Sequence, residues 1–574
     1  MPLEFRARAR GPHVEALARN VHPVLARIFA ARGIDSMESL DLAMSNLPKP
    51  DAMMGMGEAV RLIADAVQAD ERIVVIGDFD ADGASGTALG VLALNAFGAS
   101  QVGFLVPNRF DFGHGLSTQI VKVAAENQPQ LLITVDHGTA SHEGVALARE
   151  LGIKVVVTDH HMASETLPNA NAIVNPNQPG CVFESKCLAG VGVLFYVMSA
   201  LRAELMRRDW FGEHRPMPNM ADFLDLVAIG TISDLVPLDQ VNRILVREGL
   251  RRISHAPRPG VQALLEVAKR GRGRVRADDI GFGLAPRINA AGRLTDMSHG
   301  IKCLLAGELG VARHLAEQLE QINRRRKDIE VSMVSRAESM LQDAKGKLGE
   351  GEMPKVLCLY DAGFNQGIVG LVASRLARET SRPAIVFADA GDAEPDYLRG
   401  SARSVPGLHL VDLIERVNLK QPGLLIRFGG HAMAAGLTLM RSKLGEFSTL
   451  LADIVDTEIE VPPPSNIYLT DGALGEDDLC LDFARALEDA GPWGQRFEQP
   501  TFEGEFAIRH QRVVADAHLR MLLETGETLI DAIRFGQDEL VAASRVRIGY
   551  RLTVNTWGDR ETAQLVIEQL QPAA

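Results

Sequence analysis

From Arg72 onward, short apolar runs rich in β-branched residues alternate with longer stretches that carry apolar residues on one helical face. That alternation is the pattern of an α/β domain. Three runs, Ile73–Ile76, Leu131–Val135 and Lys154–Thr158, are apolar without a period of two. Strands covered on both faces read this way, so the three predict the centre of a parallel sheet. A fourth run, Leu226–Ile229, fits a strand or a helix equally. Residues 1–50 predict a small helical lead-in and 51–309 the first α/β domain. From Gly310 to Lys347 a charged segment without proline, and without internal glycine until its end, predicts one long connecting helix within 310–350. A second α/β region spans 351–460, with apolar runs at Val356–Leu359 and Ala384–Phe387, and closes on the glycine-rich stretch Gly429–Gly436. Val461-Pro462-Pro463-Pro464-Ser465-Asn466 reads as a stiff linker. Beyond it, alternating segments such as Phe502–Ile508, Leu519–Leu523 and Tyr550–Val554 predict a small β-barrel within 461–574.

The length of 574 residues exceeds what one hydrophobic core supports, in keeping with several domains. A hydrophobic share of 46% beside 23% charged residues excludes a disordered or membrane-embedded chain. The longest apolar run, Leu188–Leu201, is too short for a bilayer and reads as a core helix. The start MPLEFRARARGPHVEA lacks the apolar stretch of a secretory signal, so a cytoplasmic location is expected. Five cysteines without a CxxC pair argue against a disulfide framework and against a zinc knuckle.

A net charge of −14 weighs against a protein that coats duplex DNA, because such binding neutralises many phosphates. Two local basic clusters, Lys269–Arg276 and Arg324–Lys327, would suffice to line the path of a threaded strand; taken alone, each reads more simply as a solvated face.

The candidate chemistry lies where the predicted strands end. The first runs into Asp78-Phe79-Asp80-Ala81-Asp82-Gly83, the second into Asp136-His137-Gly138 and the third into Asp159-His160-His161. The carboxyl ends of parallel strands share one edge, so acids and imidazoles from three segments would meet there. Asp234 follows the fourth run. So many carboxylates repel one another unless cations neutralise them, and a mixed Asp/His set suits Mn²⁺ or Mg²⁺. Two ions a few ångströms apart are the natural count, the arrangement that activates water and steadies charge on a phosphoryl group. An aspartate after a strand is often only a helix cap or a ribose-binding acid, but coincidence across three strands is a poor explanation. A dinucleotide site is disfavoured because no GxGxxG follows the first strand. Zinc, which His160 and His161 would suit, is disfavoured by the surplus of carboxylates.

At these residues the sequence resembles the DHH phosphoesterases, and within them closely the branch of single-strand-specific 5′ to 3′ exonucleases. DFDADG, VDHG, TDHH and GTISDLVPLD resemble its four metal motifs in order, followed by RINAAGRL at Arg287–Leu294 and GGHAMAAG at Gly429–Gly436. The resemblance covers nearly the whole chain. It implies that Asp80, Asp82, Asp136, His160 and Asp234 hold the metals, with Asp78 and His161 beside them and His161 touching the scissile phosphate. His137 stands where relatives often carry Asn or Cys, which leaves its neighbour Asp136 intact. It further implies two lobes with the strand threaded between them, the second of the DHHA1 type, and an OB-like barrel. Arg109, Ser401 and Arg403 would hold the 5′-phosphate. His431 would donate to a non-bridging oxygen, and Asn289 and Arg293 would lie at the floor of the metal lobe. Arg109 and Arg403 read alone are each equally structural ion-pair partners, whereas for Asn289 and Arg293 a buried helix cap is the less favoured alternative. Phe104, Phe110 and Phe112 are the best-placed aromatics for base stacking, though core packing is the simpler reading of each. The expected activity is hydrolysis of single-stranded DNA from its 5′ end to mononucleotides, by a monomer working with a helicase and a single-strand-binding protein. A DHH phosphatase for small molecules would need neither the long helix nor the barrel, and a scaffold that had lost its metals would not keep acids at every motif.

Overall fold

The computed structural model describes residues 3–108, 115–163, 165–271, 273–348, 353–391, 394–458, 466–515, 517–557 and 560–573. The chain divides into two compact units, one of Met1–Gly292, Asp296–Leu319 and Asn466–Ala574, the other of Arg293–Thr295 and Glu320–Ser465.

The first unit opens with a short strand, β1 (Glu4–Ala7), so the lead-in is not purely helical. Its central sheet contains β2 (Ile73–Ile76), β3 (Val102–Leu105), β4 (Leu131–Val135), β5 (Lys154–Thr158) and β6 (Ala172–Val174), all parallel, in the order β3-β2-β4-β5-β6. Every residue of β2 and β4 is buried, which explains runs without alternation. The chain steps from β2 outward to β3 and then returns to the other side of β2 for β4. Strand order therefore reverses between β2 and β4, and the crevice at their carboxyl ends is where ligands bind in such sheets.

The ambiguous fourth run is helical, part of Leu224–Ser233. Residues Leu224–Thr231 are all buried, and a helix covered on every side shows no amphipathic stripe to betray it. The helix Ala81–Ala96 has the same all-round burial over most of its length and packs against Leu224–Ser233 and Gly190–Arg207.

The connecting helix runs from Leu309 to Leu348. The second unit contains β7 (Leu357–Tyr360), β8 (Ala384–Asp389), β9 (Tyr397–Arg403), β10 (Leu425–Gly430) and β11 (Ala434–Met440), in the order β10-β11-β9-β8-β7, with β7 and β8 parallel and the other pairs antiparallel.

After β12 (Ile467–Thr470) come five barrel strands, β13 (Phe502–Val514), β14 (His518–Thr525), β15 (Thr528–Phe535), β16 (Arg545–Trp557) and β17 (Arg560–Pro572). They close in the order β13-β14-β15-β17-β16, the topology of an OB-fold. Its core is built on Phe502, Phe506 and Tyr550, with Ile28 of the lead-in among the same buried cluster. β1 pairs in parallel with β12, and Arg32 meets Asp471 at 2.7 Å with both side chains buried, so the lead-in and the barrel entrance are fastened together. No helix among the described residues is long and apolar enough to cross a membrane.

Candidate metal centre

The loop after β2 enters the helix Ala81–Ala96 through Asp80, whose Oδ1 accepts the N–H groups of Asp82 and Gly83, each at 3.0 Å. Asp80 is thus an N-cap as well as an acid of the site. Its next residue, Ala81, donates its N–H to Asn289 Oδ1 at 2.8 Å, so the asparagine of RINAAGRL pins the acidic loop. Asp82 is buried and receives the first amides of the helix Gly190–Arg207, from Gly190 at 2.6 Å and Val191 at 3.0 Å. These amides and the helix dipole steady a carboxylate that burial alone would neutralise.

Asp136, at the end of β4, is buried and holds φ +69°, a conformation that non-glycine residues adopt at a cost of about 1–3 kcal/mol. Its Oδ1 lies 3.0 Å from His160 Nε2, which in turn lies 3.5 Å from Asp234 Oδ2. All three atoms are buried, and none has a hydrogen-bond partner. Ligand atoms of Asp136, His160 and His161 lie within 4.8 Å of one another, as do those of Asp82, His160 and Asp234. His160 belongs to both groups.

Burial, reinforced by neighbouring carboxylates, pushes Asp82, Asp136 and Asp234 above the usual carboxylate range. Burial also holds the His160 imidazole down at about 4, hence neutral with a lone pair to give. Acids that resist ionising beside a neutral imidazole become ligands once a divalent cation supplies the missing charge. The orphaned donor atoms and the oxygen-rich set fit Mn²⁺ or Mg²⁺ better than a thiolate-seeking metal. Asp78 accepts the Phe79 N–H at 2.8 Å and adds to the charge felt by Asp136 and Asp234.

His161 is different. Its Nδ1 meets Asp159 Oδ1 at 2.8 Å, and this hydrogen bond raises the imidazole to about 9 while its side chain stays half-exposed. Asp159 accepts further N–H groups from Thr139, His160 and His161. Burial alone would push Asp159 up, but these hydrogen bonds and the His161 charge hold it well below the usual range. Among the aspartates that follow the strands, Asp159 carries no role that the sequence marks beyond its place before two histidines. His137 donates from Nε2 to Ile76 O at 3.1 Å, and burial lowers it to about 4, so it braces the strand ends as a neutral ring.

Two glycines fix the spacing, Gly230 at the head of GTISDLVPLD and Gly190, which no motif marks. A Cβ at Gly190 would fall 2.5 Å from Asp136 Cβ, and one at Gly230 would fall 2.4 Å from Asp82 Oδ1. Side chains there would displace the ligands.

In the second unit, Ser401 and Arg403 lie two residues apart on β9, and Arg403 Nη1 donates to Ser401 Oγ at 3.0 Å. A Cβ on Gly370 would come within 3.0 Å of Ser401 Oγ and 3.2 Å of Arg403 Nη2, so the glycine leaves room for the pair. His431 is exposed in the turn between β10 and β11, where its N–H reaches Ala434 O at 2.7 Å. Gly430 before it holds φ +149°, and a Cβ there would strike the same Ala434 carbonyl. Arg293 Nη1 lies 3.4 Å from Gly367 O. Arg109, Phe110 and Phe112 lie outside the described residues. Phe104 packs against the core, as the simpler reading had it. The basic clusters are largely engaged in ion pairs, Arg276 with Glu488 at 2.7 Å, Arg274 with Asp489, Arg324 with Glu320 at 2.7 Å and Arg326 with Glu330 at 2.6 Å.

A parallel sheet whose switch point carries this Asp/His set defines a DHH-type phosphoesterase, and family models agree: the DHH family N-terminal domain matches residues 72–231, the DHHA1 domain 353–457 and the RecJ OB domain 470–569. The single-stranded-DNA-specific exonuclease RecJ of Dickeya dadantii is 44% identical over 98% of both chains, and that of Escherichia coli 43% identical over 97% of both. The crystal structure of RecJ from Thermus thermophilus in complex with Mn²⁺ superposes with a TM-score of 0.80 at 29% identity, covering 100% of this chain and 80% of that one. A second solved structure, exonuclease RecJ bound to manganese, gives a TM-score of 0.58 at 32% identity over 71% of this chain and 95% of that one. The chain belongs to the RecJ family of single-stranded-DNA-specific exonucleases.

Proposed function

We propose that this protein degrades single-stranded DNA from its 5′ end to mononucleotides by phosphodiester hydrolysis at a two-metal centre. The observation that carries the reading is the buried set around His160, where Asp136 Oδ1, His160 Nε2 and Asp234 Oδ2 face one another without hydrogen-bond partners. Asp80, Asp82, Asp136, His160 and Asp234 would hold the ions, and Asp78 adds charge beside them. A pair of Mn²⁺ or Mg²⁺ ions supplies an activated water and neutralises the phosphoryl oxygens; relatives crystallised with each of these cations support the choice.

The chain's own residues do the rest. Asp159 holds the His161 ring by Nδ1 and keeps it protonated, leaving Nε2–H to donate to a non-bridging phosphate oxygen. Asn289 and the amides of Gly190 and Val191 keep the acidic loop fixed. Arg293 serves the floor of the metal lobe. Arg109, Ser401 and Arg403 hold the 5′-phosphate, which sets polarity, and His431 adds a donor to the backbone. Family membership supports single-stranded DNA as substrate. On the same reading the protein is a monomer that acts in recombination and repair, taking strands exposed by a helicase or coated by a single-strand-binding protein.

Strands labelled at the 5′ or 3′ end, single or duplex, digested with Mn²⁺ and sized, test polarity and strand specificity together. Asp136→Ala should retain the fold by circular dichroism and lose cleavage by about 10³-fold or more. Undiminished cleavage by that variant would sink the site assignment.

A further inference from the structure

β6 ends beside β5: Thr158 pairs with Val174, and Asp159 donates its N–H to Val174 O at 3.1 Å. Parallel strands deliver the residues that follow them to one edge, so Asn175-Pro176-Asn177, which none of the six motifs includes, emerges next to Asp159-His160-His161. Pro176 has no N–H and a fixed φ, and it disfavours helical backbone at Asn175. The Asn177 N–H closes the turn on Asn175 Oδ1 at 2.7 Å.

Both N–H bonds of each side-chain amide are taken. Asn177 Nδ2 donates to His160 O at 2.6 Å and to Lys186 O at 3.2 Å. Asn175, wholly buried, donates from Nδ2 to His161 O at 2.9 Å and to Thr139 Oγ1 at 3.0 Å. The partners lie on the three segments that frame the donor set. Thr139 follows Asp136, the histidines follow β5, and Lys186 precedes Gly190 and Val191, whose amides hold Asp82. Lys186 Nζ in turn donates to Pro176 O at 2.6 Å, which fastens the turn from its other side.

The His160 and His161 carbonyls lie beyond the end of β5, and a carbonyl only accepts, so each needs a donor from elsewhere. Rotating a peptide plane swings the side chain next to it; a carbonyl held in place therefore holds the direction of its imidazole. We propose that Asn175 and Asn177 are positioning residues with separate tasks. Asn177 keeps His160 Nε2 directed at Asp136 and Asp234, and so serves the ions. Asn175 fixes the backbone from which the His161 ring reaches a phosphate oxygen, and so serves the strand. The inference rests on the roles proposed above for the two histidines.

Two equilibrium measurements on the full chain separate these tasks: Mn²⁺ binding without DNA by isothermal titration calorimetry, and affinity at saturating Mn²⁺ for a 5′-phosphorylated strand with hydrolysis-resistant phosphonate linkages. Asn177→Ala should weaken Mn²⁺ binding about 10- to 100-fold, the range for groups that orient a metal-bound histidine. Asn175→Ala should leave Mn²⁺ affinity unchanged and weaken strand binding about 10-fold or more, the scale of one hydrogen bond to a charged group. Asp at either position keeps the size and the turn-closing oxygen but, ionised, donates nothing; it should match Ala without leaving a cavity. Gln178 is the control, because it is buried in the same turn while its Nε2 donates to Met54 O at 3.0 Å and Ile173 O at 3.1 Å and to neither histidine. Gln178→Ala should lower the melting temperature as the asparagine variants do and keep both affinities. Wild-type Mn²⁺ affinity in the Asn177 variants, or an equal loss in Gln178→Ala, overturns the task of Asn177. Wild-type strand affinity in the Asn175 variants overturns that of Asn175. Cleavage of an unmodified strand by the wild type tests the hydrolytic reading on its own, since both binding measurements proceed without it.

Discussion

The metal centre and the glycine-rich hairpin of the second unit are built on opposite terms. At the first, Asp82, Asp136 and Asp159 are buried, most of their oxygens carry hydrogen bonds, and positions such as Gly190 tolerate no extra atom. At the second, His431 is exposed, and nothing lies within 4 Å of a Cβ placed on Gly429 or Gly436. A centre that must hold repelling charges at fixed spacing is determined from every side, while a surface that receives a moving polymer is left open. Substitutions should therefore be punished steeply at the first and mildly at the second.

The strongest challenge to that contrast is Gly190→Ala. Its methyl group would press on Asp136, and a displacement near 1 Å is worth about 100-fold in rate; Mn²⁺-supported cleavage should fall at least that far, and overpacking should lower stability by about 1–3 kcal/mol, read by thermal melting. Asp159→Asn keeps the shape of the loop but removes the charge that orients His161, and should cost about 10- to 100-fold in activity, measured across a Mn²⁺ titration so that lost affinity and lost turnover separate. In the second unit, Arg403→Ala should raise KM about 10-fold for 5′-phosphorylated strands and leave 5′-hydroxyl strands unchanged. His431→Ala should change kcat/KM by only about 2- to 5-fold, the scale of one exposed hydrogen bond. A larger effect at His431 than at Asp159 would reverse the comparison.

The sequence is most readable where burial is two-sided and local. β2, β4 and β5 stand out as apolar runs, and each brings its following acids to the shared edge because the carboxyl ends of parallel strands lie side by side. Leu226–Ile229 stayed ambiguous for the same reason, since complete burial erases the helical period. Asp159 was legible as a residue but not as a role. Only folding shows its oxygens turned to the Thr139 amide and the His161 ring instead of toward the ligand cluster. Gly190 gives no signal, because the atoms it must avoid belong to Asp136, 54 positions earlier at the end of β4. The pairing of β1 with β12 was equally hidden, as nothing in a four-residue strand names a partner at the far end of the chain.

That last pairing bears on the order in which the molecule is completed. Arg32 and Asp471 are 439 residues apart, a separation that takes a ribosome roughly 20–90 s to cover at about 5–20 residues per second. Throughout that interval the lead-in has been made and its partner has not. Phe5 and Ile28, buried in the finished protein, must wait in the open or in passing contacts until the barrel emerges. The first unit is therefore begun first and closed last, with the entire second unit synthesised in between.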